Sequence, residues 1–337
     1  MLGEPSPSGS EPPNLHAFRS TTFTGLNALK TDITTLWDLS RQQMEELFAD
    51  AIDLKERQKR GILDQPLRGR TAGLLFDKPS TRTRVSFEAA MNQLGGLPMF
   101  INAKDTQINR DEPIADTARV LSRYLDVLVI RTFSQDLLTE FADNADIPII
   151  NALTDLYHPC QILSDIQTVI EEKGGIENLE NLRIAWVGDG NNVAHSWIEA
   201  AGILGLELVL ACPKGYHPSD RVLSRAVKEG HGRISVGEDP RESAKNADVI
   251  YTDVWASMGQ ESESRARKKL FSGFSVDENL VALAKEDVIV MHCLPAHRGE
   301  EISHEVMEGP RSVVWDQAEN KLHMHKAVLN AVITKWR

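Results

Sequence analysis

From about Thr34 onward, short apolar runs alternate with longer stretches of mixed polarity. The runs are Gly73-Leu74-Leu75-Phe76, Val127-Leu128-Val129-Ile130, Ile147-Pro148-Ile149-Ile150, Ile184-Ala185-Trp186-Val187, Leu208-Val209-Leu210, Val249-Ile250-Tyr251 and Val288-Ile289-Val290-Met291. Continuous apolar runs of this length suit strands buried on both faces, as in parallel sheets covered by helices. The segments between them carry helical periodicity. In Arg84 to Leu94, Phe87, Met91 and Leu94 share one face, and Gly95-Gly96 ends the helix. A chain of 337 residues exceeds what one core usually organises. The pattern therefore predicts an α/β protein of two doubly wound parallel-sheet domains joined by helices, with a C-terminal helix returning to the first domain. A Lys173-Gly174-Gly175 break and the polar Glu177–Asn181 stretch lie near the middle. The expected division is 26–165 with the helical segment 317–337, then 166–316. Residues 1–25, rich in Pro, Ser, Gly and Glu, are expected to form a disordered tail.

Ligands of such sheets bind at the carboxyl ends of strands, and here each chemically loaded segment begins where an apolar run stops. Phe76 is followed by Asp77-Lys78-Pro79-Ser80-Thr81-Arg82-Thr83-Arg84, and Ile130 by Arg131. Val187 leads into Gly188-Asp189-Gly190-Asn191-Asn192, Thr252 into Asp253, and Met291 into His292-Cys293-Leu294-Pro295. Ser80-Thr81-Arg82-Thr83-Arg84 takes a strand into a helix N-terminus. Free backbone N–H groups, hydroxyls and guanidiniums converge there, which suits a phosphate. The bland alternative is an ordinary Ser/Thr cap with solvated arginines. No P-loop pattern is present.

The Phe-Asp-Lys-Pro-Ser-Thr-Arg-Thr-Arg segment resembles the carbamoyl-phosphate signature of the aspartate and ornithine carbamoyltransferase family. The resemblance continues through Asp116–Tyr124, His158-Pro159-Cys160-Gln161, Asp253 with Ser257-Met258-Gly259-Gln260-Glu261, and His292-Cys293-Leu294-Pro295, in family order. It implies an amino-terminal domain for carbamoyl phosphate and a carboxyl-terminal one for the amino acid, in a trimer or multiple of trimers with interfacial sites. Carried over by position, Ser80, Thr81, Arg82 and Thr83 hold the phosphate. Arg131, His158 and Gln161 contact the carbamoyl group, with Cys293 and Leu294 beside it. Gln107 comes from the neighbouring subunit. Asn192, Asp253, Ser257 and Met258 match ornithine-binding positions, and Arg131, His158, Asp253 and Cys293 form the catalytic set. Ser257-Met258-Gly259 and the cysteine of His-Cys-Leu-Pro separate ornithine-using from aspartate-using members. One departure stands out. Lys321, in Glu319-Asn320-Lys321-Leu322-His323, occupies a position where the ornithine branch generally has an arginine on carbamoyl phosphate. It either still reaches the substrate as a point charge or is an ordinary solvated lysine.

Composition narrows the alternatives. The formal charge of -12 argues against a nucleic-acid surface. No apolar run is long enough to span a membrane. The three cysteines, Cys160, Cys212 and Cys293, form no CxxC pair, so disulfides and structural zinc are not expected and a reducing cytoplasm fits. No metal or organic cofactor is called for, since carbamoyl phosphate is already activated. A nucleotide-dependent oxidoreductase is the rival of another class. Gly188-Asp189-Gly190 imitates a Rossmann fingerprint, but Val193 stands at its third glycine position and no acidic ribose partner follows Ala211-Cys212-Pro213. A non-catalytic binding protein, or a transferase acting on putrescine or acylated ornithine, completes the set.

Overall fold

A computed structural model describes residues 30–106, 112–256 and 264–336; the expected tail over 1–25 lies outside them. The first sheet contains β1 (Thr71–Phe76), β2 (Leu97–Asn102), β3 (Val127–Arg131) and β4 (Ile149–Leu153), in the order β2-β1-β3-β4. The second contains β5 (Arg183–Val187), β6 (Glu207–Ala211), β7 (Arg233–Gly237), β8 (Val249–Thr252) and β9 (Ile289–His292), in the order β7-β6-β5-β8-β9. Every strand pair in both is parallel. The α/β class and the two parallel-sheet domains are as the apolar runs predict.

Strand side chains alternate between faces, and the cores follow that alternation. Val127 and Val129 of β3 face one cluster while Leu128 and Ile130 face another. Ile184 and Trp186 of β5 separate from Ala185 and Val187 in the same way. The largest cluster takes one face from each sheet, so a single continuous core joins the two. The helices Pro159–Glu172 and Val314–Asn330 lie within it. The C-terminal helix returns to the first sheet, where its His325 ring stacks on Phe87 of the helix Arg82–Gln93 at 3.6 Å between centroids. Gly95, past the end of that helix, has φ +82, the left-handed conformation that favours glycine at a helix stop.

Two strands were not among the apolar runs. β2 and β7 are each one of the two outer strands of their sheets, and unlike the other outer strands, β4 and β9, they have side chains mostly exposed or half-buried. An edge strand covered on few sides needs no unbroken apolar run. The helix expected from Arg84 begins at Arg82, and another begins at Pro159 with His158 as its N-cap.

Phe87 is fully buried between the first sheet and the returning helix. Phe87→Ala should therefore cost about 3–5 kcal/mol of stability, read from urea unfolding. A loss below about 1 kcal/mol would mean that the helix docks without this ring.

Candidate active site

The carboxyl ends of six strands open on one cavity of about 640 Å³ between the two sheets. β1 supplies the loop Lys78–Thr83, β3 Arg131, and β4 the approach to His158 and Gln161. From the second sheet, β5 supplies Asp189–Val193, β8 Asp253, and β9 Cys293 to Pro295. Lys321 reaches in from the C-terminal helix. Every candidate within the described residues is thus brought together: Ser80, Thr81, Arg82, Thr83, Arg131, His158, Gln161, Asn192, Asp253, Cys293, Leu294 and Lys321. Gln107, Ser257 and Met258 lie outside the described residues.

On the first-sheet bank, parallel pairing sets Arg131 beside Phe76, so the β3 arginine faces the loop leaving β1. A register shift between Ile130 and Arg131 re-aims the strand at its end. The helix Arg82–Gln93 starts inside the loop; Ser80 Oγ accepts the Thr83 N–H at 3.3 Å, while the N-cap Thr81 makes no side-chain cap bond. Arg82 donates to the carbonyl of Leu294 at 2.7 Å, joining the two banks. Leu294 has φ 61, unusual for a branched residue, and a cis peptide bond follows it. His292 Nδ1 accepts the Leu294 N–H at 2.8 Å, while Glu301 lies 3.1 Å from the other ring nitrogen.

Burial decides the charges here. It pulls the Arg131 guanidinium down to about 10, with the Arg82 charge adding to the effect, so Arg131 remains cationic at neutral pH. Among the described residues its buried Nε has no hydrogen-bond partner. Burial holds the His158 imidazole well below its usual range, helped by Lys321 and Arg131, and Nδ1 of this neutral ring also has no partner among the described residues. Lys321 is only 6% exposed and is pulled down to about 8, first by burial and then by Arg131. Its ammonium donates to Gln161 Oε1 at 2.7 Å. Lys321 is therefore a cavity residue, not a solvated one.

On the second-sheet bank, Asp253 Oδ1 accepts from the Cys293 thiol at 3.0 Å and from the Val254 N–H at 2.8 Å. Oδ2 accepts from Asn191 Nδ2 at 2.8 Å. Burial and the Asp253 charge push the Cys293 thiol well above its ordinary value, so it stays protonated. Asn192 is anchored through a 2.7 Å bond to the carbonyl of Thr154. Asp253, His292 and Cys293 place ligand atoms within 4.8 Å of one another, but they suit a cation poorly. Both ring nitrogens of His292 are already engaged, by the Leu294 N–H and by Glu301.

The Gly188-Asp189-Gly190 turn has a packing explanation. A Cβ on Gly190 would lie 2.3 Å from the Pro218 nitrogen, and its N–H donates to Tyr216 at 2.8 Å. Asp189 pairs with Arg267 at 2.7 Å across the cavity wall. The turn is closed by its own chain rather than open for a pyrophosphate.

Several participants were missed from the sequence. Asn191 caps the helix Asn192–Leu204 and also holds Asp253; a strand–turn–helix with consecutive asparagines was the available signal. The Ser196 hydroxyl accepts the His158 N–H at 2.8 Å, and Lys78 pairs with Asp155 while lying 4.0 Å over the Phe133 ring. No local pattern marks those partners.

Comparison with known proteins agrees with this geometry. Residues 31–171 match the family described as aspartate/ornithine carbamoyltransferase, carbamoyl-P binding domain, and residues 180–332 match its Asp/Orn binding domain. The ornithine carbamoyltransferase of Desulfotalea psychrophila is 55% identical, over 88% of this chain and 97% of that protein. That of Syntrophus aciditrophicus is 53% identical over 90% of this chain and 100% of its own. Among solved structures, ornithine carbamoyltransferase from Pyrococcus furiosus superposes with TM-score 0.85 at 47% identity, covering 90% of this chain and 96% of that one. With both halves matched and the strand-end chemistry in one cavity, the chain belongs to the aspartate/ornithine carbamoyltransferase family.

Proposed function

We propose that the chain transfers the carbamoyl group of carbamoyl phosphate to the side-chain amine of L-ornithine, giving L-citrulline and phosphate. One observation carries the reading. A single cavity sets four cationic side chains, Lys78, Arg82, Arg131 and Lys321, and a helix N-terminus on one bank against a hydrogen-bonded Asp253–Cys293 pair on the other. The division of labour follows the sheets, with 26–165 and 317–337 serving carbamoyl phosphate and 166–316 serving ornithine.

The phosphate sits against Ser80, Thr81, Arg82 and Thr83, where free N–H groups and the helix dipole favour an anion. Arg131, neutral His158 and Thr83 surround the carbamoyl carbonyl, with Gln161 and Leu294 at the amide. The amine of ornithine has a pKa of about 10.4 by analogy with lysine, so roughly one molecule in a few thousand is nucleophilic at pH 7. The Asp253 carboxylate draws in the ammonium form. After proton loss the nitrogen lone pair attacks the carbamoyl carbon, the bond to the bridging oxygen breaks, and phosphate departs with that electron pair. Fixed donors stabilise the oxyanion that builds on the carbonyl. The protonated Cys293 thiol hydrogen-bonds Asp253 and so orients the acid; it is no thiolate base. Asn192, Ser257 and Met258 serve the α-amino and α-carboxylate end.

A trimer with Gln107 donated across the interface completes the assembly. Its support is an apolar edge: Leu97 and Met99 on the outer strand β2, with Val85 nearby in the chain, are more than 45% exposed. A cytoplasmic location is supported by three free cysteines. Among the described residues no helix is long and apolar enough to cross a membrane.

The reading is tested by citrulline formation with purified protein, carbamoyl phosphate and a panel of amines. Ornithine should exceed putrescine by orders of magnitude in kcat/KM, since putrescine leaves the carboxylate-binding groups unsatisfied. Equal values would refute the ornithine assignment.

Arg131→Ala should fold normally and lower kcat by about two to three orders of magnitude, as for loss of one oxyanion donor. Normal turnover in the folded variant would remove Arg131 from the site.

Lys321 generates a pH prediction. With its pKa lowered to about 8, the cation that helps bind phosphate is present below that pH and lost above it. The kcat/KM for carbamoyl phosphate, which reports the free enzyme, should therefore fall as pH rises from about 7.5 to 9.5. Lys321→Arg should decline much less over that window, because a guanidinium buried in this cavity titrates nearer 10, as Arg131 does. The same decline in both proteins would exclude Lys321 as its source.

A further inference from the structure

The helix Pro159–Glu172 carries a carboxylate that the mechanism above does not use. Asp165 is fully buried and faces only donors. Its Oδ1 accepts from Gln161 Nε2 at 2.9 Å and from Gln317 Nε2 at 2.8 Å, and its Oδ2 accepts from the Tyr251 hydroxyl at 2.6 Å. Asp165 does not line the cavity, whereas Gln161 does.

A side-chain amide has a donor end and an acceptor end, exchanged by a flip. At Gln161 both ends are fixed. Its Nε2 is held by Asp165, and its Oε1 accepts from the Lys321 ammonium at 2.7 Å. A flip would set carbonyl against carboxylate and NH2 against ammonium, two repulsive contacts in a buried place. Gln317 cannot offer Asp165 an alternative orientation either, because its Oε1 accepts the His292 N–H at 3.0 Å. The end of Gln161 beside the cavity-lining Lys321 is thus the oxygen, with a second lone pair free for a ligand. A group placed against it must bring an N–H.

We propose that Asp165 is a positioning residue that makes the acyl-phosphate site selective for an N–H-bearing acyl group, by fixing which end of the Gln161 amide meets the ligand. The proposal rests on the carbamoyl-phosphate reading of the cavity. Carbamoyl phosphate presents an NH2 where acetyl phosphate, of the same shape, presents a methyl group. The methyl leaves Gln161 Oε1 without its partner, so the protein prefers the carbamoyl compound. Without Asp165, only the Lys321 contact still holds the Gln161 amide, and the preference shrinks.

The test measures dissociation constants of carbamoyl phosphate and acetyl phosphate by calorimetry at pH 7, below the Lys321 value of about 8, for the wild type and for three variants. Burial pushes Asp165 up to about 6, so it is mostly ionised there. In Asp165→Ala the ratio of the two constants should fall by about tenfold or more, through weaker carbamoyl phosphate binding, with acetyl phosphate changed less than about twofold. Asp165→Ser, whose hydroxyl is too short to reach Gln161, should behave alike and serves if the alanine variant does not fold. Asp165→Asn keeps an acceptor for both glutamines and can donate to the Tyr251 oxygen, so it should hold the ratio within about threefold. A preserved ratio in folded Asp165→Ala or Asp165→Ser, or a collapsed one in Asp165→Asn, overturns the role of Asp165. Failure of the wild type to bind carbamoyl phosphate at all would instead sink the reading of the cavity.

Discussion

The structure depends on a polar seam between two buried helices. On Pro159–Glu172, Gln161, Asp165, Thr168 and Glu171 recur at helical spacing along one stripe. On Val314–Asn330 they meet Gln317, Asn320 and Lys321. Asn320 donates to Thr168 Oγ1 and to Glu171 at 3.0 Å each, and Lys55 of the helix Arg41–Lys59 closes the end with 2.6 Å and 2.7 Å bonds to Glu171 and Asn320. Burying polar groups costs free energy unless each finds a partner, and a slip in this seam would strand several at once. Apolar packing alone would dock the C-terminal helix in more than one register; the seam accepts only one. The Gln161–Lys321 contact is its cavity end, so the interaction that joins the helices also places side chains that line the cavity.

The same burial sets the electrostatics. The chain is acidic, at -12, yet it must hold a phosphate. The cavity places Arg131 and Lys321 where water is scarce, at the expense of their basicity: one is pulled to about 10 and the other to about 8. A guanidinium survives such a drop with its charge intact at any physiological pH. An ammonium is brought to the edge of titration. His158, in the same field, is left neutral, which suits a hydrogen-bonding role at a carbonyl better than a role as a charge. Across the cavity the sign reverses, and burial together with the Asp253 charge keeps the neighbouring thiol protonated.

Strand ends were legible because two signals coincide there. An unbroken apolar run marks a strand buried on both faces, and the polar residues that follow it have no structural reason to be so rich in arginine, hydroxyl and imidazole. That coincidence located Arg131, Asp253 and the Ser80–Thr83 loop without long-range information. β2 and β7 escaped because these two edge strands are only half covered and carry no such run, whereas the edge strands β4 and β9 are buried and do. Asp165 escaped for the opposite reason. It looks like an ordinary polar position on a helix, and only the approach of Tyr251 and Gln317, 86 and 152 residues away, reveals that it is buried. Lys321 was ambiguous for the same cause, because side-chain burial depends on which helices close over it.

Stability and chemistry share atoms on the ornithine bank too. Asn191 Oδ1 accepts the N–H groups of Val193 and Ala194 at 2.9 and 3.2 Å, while its Nδ2 donates to Asp253 at 2.8 Å. The oxygen end is committed to the cap, so the nitrogen end must face the acid. An aspartate here would cap equally well but would set a second carboxylate against Asp253. A serine would cap but has no second arm to reach it. Asparagine alone among the common caps satisfies the helix with one end and a buried carboxylate with the other. Gly190, just before it, is needed because Pro218 passes too close for any side chain. The Gly-Asn pair is therefore dictated by packing on one side and by the acid on the other, and its likeness to a nucleotide-binding turn follows from neither.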